Sequence, residues 1–248
     1  MDPDLRVILG RLLDPVLERR CGGCRGTGYV LCAGCRTLLQ SPPGRVVPDP
    51  APPSFPFTVA AAPYEGPVRE ALVAFKDHDR WALGAPLGDA LARSVAHLVT
   101  STLTDGDPGP ASAVGPVTLV PVPGSPGSAR ARDGDHVREL ARRAARQLRR
   151  TGLDVDVVAA VVAVRPRRDQ VGLDRRQRAA NLTGSTAATT RAPAIRAAVV
   201  VDDLLTTGAT VVEVTRALRT ARVPVLGAAV VAATSRSWGT WSHGLPGA

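Results

Sequence analysis

Two adjacent carboxylates, Asp202 and Asp203, stand just before a turn rich in hydroxyls, Thr206-Thr207-Gly208-Ala209-Thr210, in the stretch VVVDDLLTTGAT that begins at Val199. Backbone N–H groups of such a turn, aimed by a following helix, form an anion site suited to phosphate. The carboxylates repel phosphate, so they must hold another part of the same ligand, and a pair of vicinal hydroxyls is the simplest choice. Phosphate at one end and a diol at the other describe a ribose 5-phosphate. An ordinary buried strand, turn and helix is the plain alternative. A Walker B strand also ends in acid, but its partner GxxxxGK[ST] loop is missing, because Lys76, the only lysine, sits in AFKDHD.

The chemistry needs elements to position it. The apolar β-branched run from Ala197 to Val201 has the character of a strand buried on both faces of a parallel sheet. A helical pattern follows from about Val211 to Thr220. The acids then fall at a strand's carboxyl end, where open α/β sheets place their ligands. Further core strands are expected over Phe57–Ala62, Val117–Val122, Val155–Val164 and Val223–Thr234. Helices are expected over Val68–Lys76, Trp81 to about Leu103, and His136–Arg150. The last of these turns Val137, Leu140, Ala141, Ala144 and Leu148 inward and Arg138, Arg142, Arg143, Arg146, Arg149 and Arg150 outward. That arginine face is either solvated or meets nucleic acid. His136, at the helix start, is expected to cap or lie at the surface, with contact to a ligand phosphate as the alternative.

All four cysteines form two short pairs, Cys21-Gly-Gly-Cys24 and Cys32-Ala-Gly-Cys35. Two such turns can converge four thiolates on one tetrahedral ion, and zinc is its natural occupant. Redox or disulfide use and chance spacing are the alternatives, and the lack of a secretory signal disfavours disulfides. A four-cysteine site has no open coordination position, so its role is structural or faces a partner. A short amphipathic helix, Leu5 to Leu17, precedes it. The proline-rich stretch 41–56, SPPGRVVPDPAPPSFP, is expected to be an extended linker.

After Val122 comes a small-residue loop carrying Arg130 and Arg132, which suits a diphosphate through backbone amides and guanidinium groups. Solvated loop charge is the alternative. A second arginine-dense stretch runs RPRRDQVGLDRRQRAANLTGS from Arg165. From the residues alone it reads as a nucleic-acid strip or a disordered basic loop.

At VVVDDLLTTGAT the chain resembles the phosphoribosyl pyrophosphate (PRPP) motif of type I phosphoribosyltransferases. The resemblance implies that Asp202 and Asp203 contact the ribose hydroxyls, as the catalytic acids, while Thr206, Thr207, Gly208, Ala209 and Thr210 wrap the 5-phosphate. It implies that the loop with Arg130 and Arg132 takes the pyrophosphate, with Mg²⁺. The four-cysteine finger, the linker and the segment YEGPVREALVAFKDHDR are similar to those of one branch, the ComF-like competence proteins. Where that branch has a pattern like RGFNQ, this chain has Arg132-Asp133-Gly134-Asp135-His136, with the glycine-aromatic step altered. The branch's outline also matches Arg165, Gln170, Leu173, Arg178 and Asn181, in the place of a loop that closes over PRPP.

The expected architecture is therefore α/β: a type I phosphoribosyltransferase-like, mostly parallel sheet with flanking helices, preceded by a small four-cysteine zinc-finger module. The expected divisions are residues 1–40 (helix and finger), 41–56 (linker), 57–235 (main domain) and 236–248 (tail). A chain of 248 residues fits one main core plus an appendage. Its net charge of +9 favours anionic partners. No apolar run approaches a membrane span, and the expected location is cytoplasmic. PRPP with Mg²⁺ is the expected ligand. DNA or DNA-uptake proteins, met by the finger and the arginines, are the alternative partners, and self-association stays open.

Overall fold

A computed structural model describes residues 20–104, 115–124, 135–164 and 184–238. Its centre is a six-stranded sheet in the order β1-β2-β8-β7-β3-β4. The strands are β1 (Gly44–Arg45), β2 (Thr58–Pro63), β3 (Val117–Pro121), β4 (Val155–Val157), β7 (Ala198–Leu205) and β8 (Val225–Ala233). All pair in parallel except β1, which runs antiparallel to β2 on the edge. A separate antiparallel pair joins β5 (Val161–Ala163) to β6 (Thr186–Ala188).

The sheet is buried on both faces because its strands are apolar at almost every position. Val199, Val201, Ala229 and Val231 face one core, shared with α2 (Gly66–Asp77), α3 (Gly84–Thr104) and α4 (His136–Arg150). Ala198, Val200, Ala228 and Val230 face the other, which Val211, Val214, Ala217 and Leu218 of α5 (Ala209–Thr220) complete. A mixed α/β architecture with a mostly parallel sheet and flanking helices is thus what the strand patterns predict.

The segment expected as one strand over Val155–Val164 is two. Val158 N–H still donates to Leu119 O at 3.1 Å, but the chain then leaves the sheet edge at Ala160 to form the β5–β6 hairpin. A run of valines cannot announce that switch, although Val162 and Val164 end up 45% and 52% exposed. The strand expected to close at Val201 instead continues to Leu205, so both aspartates lie within β7. The proline-rich stretch 41–56 is tied to the core at particular points, although half of its residues are exposed. It supplies β1, buries Val46 completely, and bonds Val47 N–H to Ser237 O at 2.7 Å.

The cysteine module also packs on this core. Cys21, Leu31, Cys35 and Leu39 join Leu72, Phe75, Leu83 and Leu87 in one apolar cluster. Short helix α1 (Ala33–Leu39) ends on Arg93 of α3, whose Nη2 donates to Leu39 O at 2.5 Å and Ser41 O at 2.7 Å. The Leu39 carbonyl is one that the helix C-terminus leaves unpaired, and the Ser41 carbonyl follows just past the cap. Arg80 Nη2 likewise donates to Arg20 O at 2.7 Å. The leading helix expected at Leu5–Leu17 and the tail beyond Trp238 lie outside the described residues.

Candidate functional site

From β3 the chain proceeds outward to β4, and from β7 it proceeds the opposite way to β8. The order therefore reverses between β3 and β7, and the crevice beyond their carboxyl ends is where doubly wound sheets bind ligands. Val122 N–H donates to Val201 O at 3.0 Å, so the loop leaving β3 starts beside Asp202. Arg130 and Arg132, on that loop, lie outside the described residues. The loop re-enters at Asp135, which caps α4 by accepting from Arg138 N–H at 2.9 Å.

Strand alternation sends the two acids to opposite faces. Asp203, 5% exposed, turns toward α2, where Lys76 Nζ donates to its Oδ2 at 2.9 Å. Burial works against the Lys76 charge, but the Asp203 carboxylate, joined by Asp202, outweighs it and holds the ammonium above its ordinary range. Asp202 is half-buried, and its Oδ1 accepts from Asp203 N–H at 2.8 Å. Burial first, and the charge of Asp203 second, push its carboxyl well above the usual range. The acid pair is therefore unequal, one member matched to a cation and the other standing beside the crevice.

Immediately beyond β7, Thr206 and Thr207 lead to Gly208, whose φ of 74° is left-handed and starts α5. A side chain there would also lie 2.6 Å from the Phe55 ring and 3.0 Å from Pro48, so the turn needs glycine on both counts. Thr207 Oγ1 accepts from Ala209 N–H at 3.5 Å. With Thr210 in the first turn of α5, this arrangement brings the hydroxyls to the positive end of a helix dipole. A cavity of about 280 Å³ opens beside it, lined among others by Thr206, Thr207, Thr234, Ser235 and Arg236. Arg236 carried no signal in the sequence, because the chain places it here only through the strand end of β8.

His136 is not at the surface. It is 7% exposed and stacks on Trp81 with ring centroids 4.4 Å apart and planes 5° from parallel, edge-on to Phe75 at 5.1 Å. An α4 start packed between Phe75 of α2 and Trp81 of the following turn has no room for a solvated ring. Burial depresses the His136 pKa below 6.5, against the pull of Asp79, 3.5 Å from Nε2, and of Asp203, and with Lys76 acting in the same direction as burial. Between the two values the unfolded chain holds more protons, so this contribution to stability is full above about pH 6.5 and is lost as pH falls below it. Thermal melts at stepped pH check this: His136→Phe, which keeps the stack without titrating, is expected to flatten the acid side of the stability curve relative to the parent protein.

The hairpin β5–β6 is fastened to α5. Thr186 N–H donates to Glu213 Oε1 at 3.0 Å, and Arg216 Nε pairs with Glu213 Oε2 at 2.7 Å. Burial raises the Glu213 pKa, but Arg216 and the Thr186 amide bring it below its ordinary value. The hairpin brackets the stretch with Arg165, Gln170, Leu173, Arg178 and Asn181, which lie outside the described residues. On α4, Arg143 pairs with Glu139 and Arg149 with Asp156, each at 2.9 Å, while Arg142, Arg146 and Arg150 stand exposed in one row.

In the finger the four sulfurs lie within 4.8 Å of one another, and Cys24 Sγ is 3.6 Å from Cys32 Sγ. A tetrahedral ion with sulfur at about 2.3 Å spaces its ligands by about 3.8 Å, so the set fits one thiophilic ion. Gly23 and Cys32 N–H groups point at Cys21 Sγ at 3.4 and 3.3 Å. Burial raises the Cys21 thiol, and the Cys32, Cys24 and Gly23 amides more than reverse this, bringing it to about 6. Burial and the neighbouring cysteines push Cys35 upward. The first knuckle needs its glycines: a Cβ on Gly22 would lie 2.7 Å from Leu83, and one on Gly23 2.9 Å from Pro67.

No helix among the described residues is long and apolar enough to cross a membrane. No curated protein matches the chain. Residues 138–245, from the first turn of α4 past the end of β8, match the family model described as the phosphoribosyl transferase domain.

Proposed function

We propose that the chain binds PRPP with Mg²⁺ at the carboxyl ends of β3 and β7 and transfers its phosphoribosyl group to a nitrogen nucleophile. The observation that carries this is the unbroken sequence of acid, left-handed Gly208 turn and helix start at the reversal point of the sheet. The acids serve the ribose hydroxyls, while the amides and hydroxyls of Thr206 to Thr210 serve the 5-phosphate. Carbon 1 exchanges its bond to the pyrophosphate oxygen for one to nitrogen, and the pyrophosphate leaves with the bonding electrons. Positive charge builds on the ribose ring, and the nearby carboxylates favour it in a site that excludes water. Mg²⁺ supplies charge neutralisation to the leaving diphosphate. Arg130 and Arg132 are the cations assigned to the diphosphate, and Arg165, Gln170, Arg178 and Asn181 to a covering loop. The four cysteines hold zinc, with a structural role.

Calorimetry with PRPP and Mg²⁺ tests the reading. Binding is expected in the parent protein and its loss in the combined Asp202→Asn, Asp203→Asn variant; equal affinity in both would remove the ligand assignment. A second reading, a ComF-like DNA-uptake factor without transferase activity, draws on the exposed row Arg142, Arg146 and Arg150. DNA affinity that falls steeply with salt, in a protein indifferent to PRPP, would favour it.

A further inference from the structure

Lys76 is the only lysine among the 31 basic residues, and it reaches across 127 positions of sequence to a buried carboxylate. A cation in the last turn of α2 needs no special account, since it complements the helix dipole. That role does not call for a specific partner on another element. Here Nζ sits 2.9 Å from Asp203 Oδ2, while the lysine side chain keeps 42% of its exposure and Asp203 only 7%. The pair therefore stands at the mouth of the crevice, with the acid inside and the ammonium at the rim.

Without this cation, two consecutive carboxylates at the end of β7 would repel each other in a poorly solvated place. One of them would then have to take a proton or turn away. With it, the Asp203 carboxylate is matched and held on the α2 side, while its main-chain N–H donates to Asp202 Oδ1 at 2.8 Å. The helix that carries Lys76 is itself held from behind by Val68, Ala71, Leu72 and Phe75, all buried, so the ammonium is delivered from a rigid support.

We propose that Lys76 is a positioning residue of the sugar-phosphate site: by fixing the Asp203 carboxylate it leaves Asp202 as the acid presented to the ribose hydroxyls. The inference rests on the PRPP reading above and adds a division of labour between the two aspartates. Lys76 acts through Asp203 and not by touching the ligand.

A double-mutant cycle read by PRPP–Mg²⁺ calorimetry separates these cases. Lys76→Met is expected to weaken binding about tenfold, the scale of an interaction lost at a partly exposed ion pair beside a site. Lys76→Arg, which keeps the charge and the donor, is expected to restore most of it. In an Asp203→Asn background, Lys76→Met is expected to cost nothing further. Selective ¹⁵N-lysine labelling gives a single side-chain ammonium signal, which is expected to shift on Asp203→Asn without any ligand. Full additivity of the two substitutions would overturn the proposal in favour of direct ligand contact, and unchanged affinity in Lys76→Met would make the lysine a bystander. Should the parent protein bind no PRPP while the ammonium signal still responds to Asp203→Asn, the PRPP reading falls and the pair is structural only. Should PRPP bind and the cycle show no coupling, only the role of Lys76 falls.

Discussion

Replacing Cys35 by serine, or treating the protein with a chelator that would strip the zinc proposed for the four-cysteine cluster, is expected to lower the unfolding midpoint of the whole molecule by about 10 °C. The reason is that the finger has no core of its own. Cys21, Cys35 and Leu39 are 1%, 5% and 2% exposed, and they reach this burial against Leu72, Phe75 and Leu83 of the main domain. Arg93 and Arg80 tie the same segment down by hydrogen bonds to the Leu39, Ser41 and Arg20 carbonyls. Metal ligation that is lost frees four thiols that crowd within 4.8 Å, and the two knuckles lose their reason to stay closed. The apolar faces of α2 and of the Trp81–Leu83 turn are then uncovered. A loss of about 2–5 kcal/mol is the usual scale for removing a structural crosslink, and at about 2–4 °C per kcal/mol it brackets the stated shift. Scanning calorimetry with and without chelator decides the matter. One transition that moves as a unit is the expected outcome. An early, separate transition with the main one unmoved would show the finger to be an independent appendage.

The parts of this molecule that were legible in its sequence are those whose cause is local. The β-branched run from Val199, the glycine turn and the amphipathic α4 each have a period or a residue type that names the element, and each is found. The paired cysteines were legible for the same reason, because short spacing already forces two sulfurs together. What could not be read depends on partners far along the chain. Nothing around Lys76 announces Asp203, and nothing around His136 announces Trp81, since each meeting requires α2, α4 and β7 to be assembled first. Prolines made 41–56 look like a joint, yet a two-residue edge strand needs only one hydrogen-bonded side. Gly44 and Arg45 supply it between the prolines. The division of Val155–Val164 was hidden because both halves are equally β-prone, and only the location of β4 at the sheet edge separates them.

Asp202→Asn is expected to raise the melting temperature of the ligand-free protein while lowering its affinity for PRPP–Mg²⁺ about a hundredfold. The stability half follows from the direction of the Asp202 shift. Burial and the adjacent Asp203 charge hold its pKa well above the ordinary 3.8. A carboxyl raised in this way contributes fully below its unfolded value, and that contribution is lost as pH rises through the folded value. Above its unfolded value the group is therefore a cost to the fold, and a neutral amide of the same shape removes it. The amide also keeps the acceptor for Asp203 N–H, so the 2.8 Å bond that shapes the end of β7 survives. A gain of about 2–4 °C per kcal/mol is expected near pH 8, shrinking as pH is lowered toward 4. The binding half follows from charge: a neutral amide cannot favour a cationic ribose ring, and it accepts hydroxyl hydrogen bonds more weakly than a carboxylate. Parallel melts and titrations of one variant thus separate a residue kept for its chemistry from one kept for packing. A packing residue would lose stability on substitution, and a melting temperature that fell together with affinity would place Asp202 in that class.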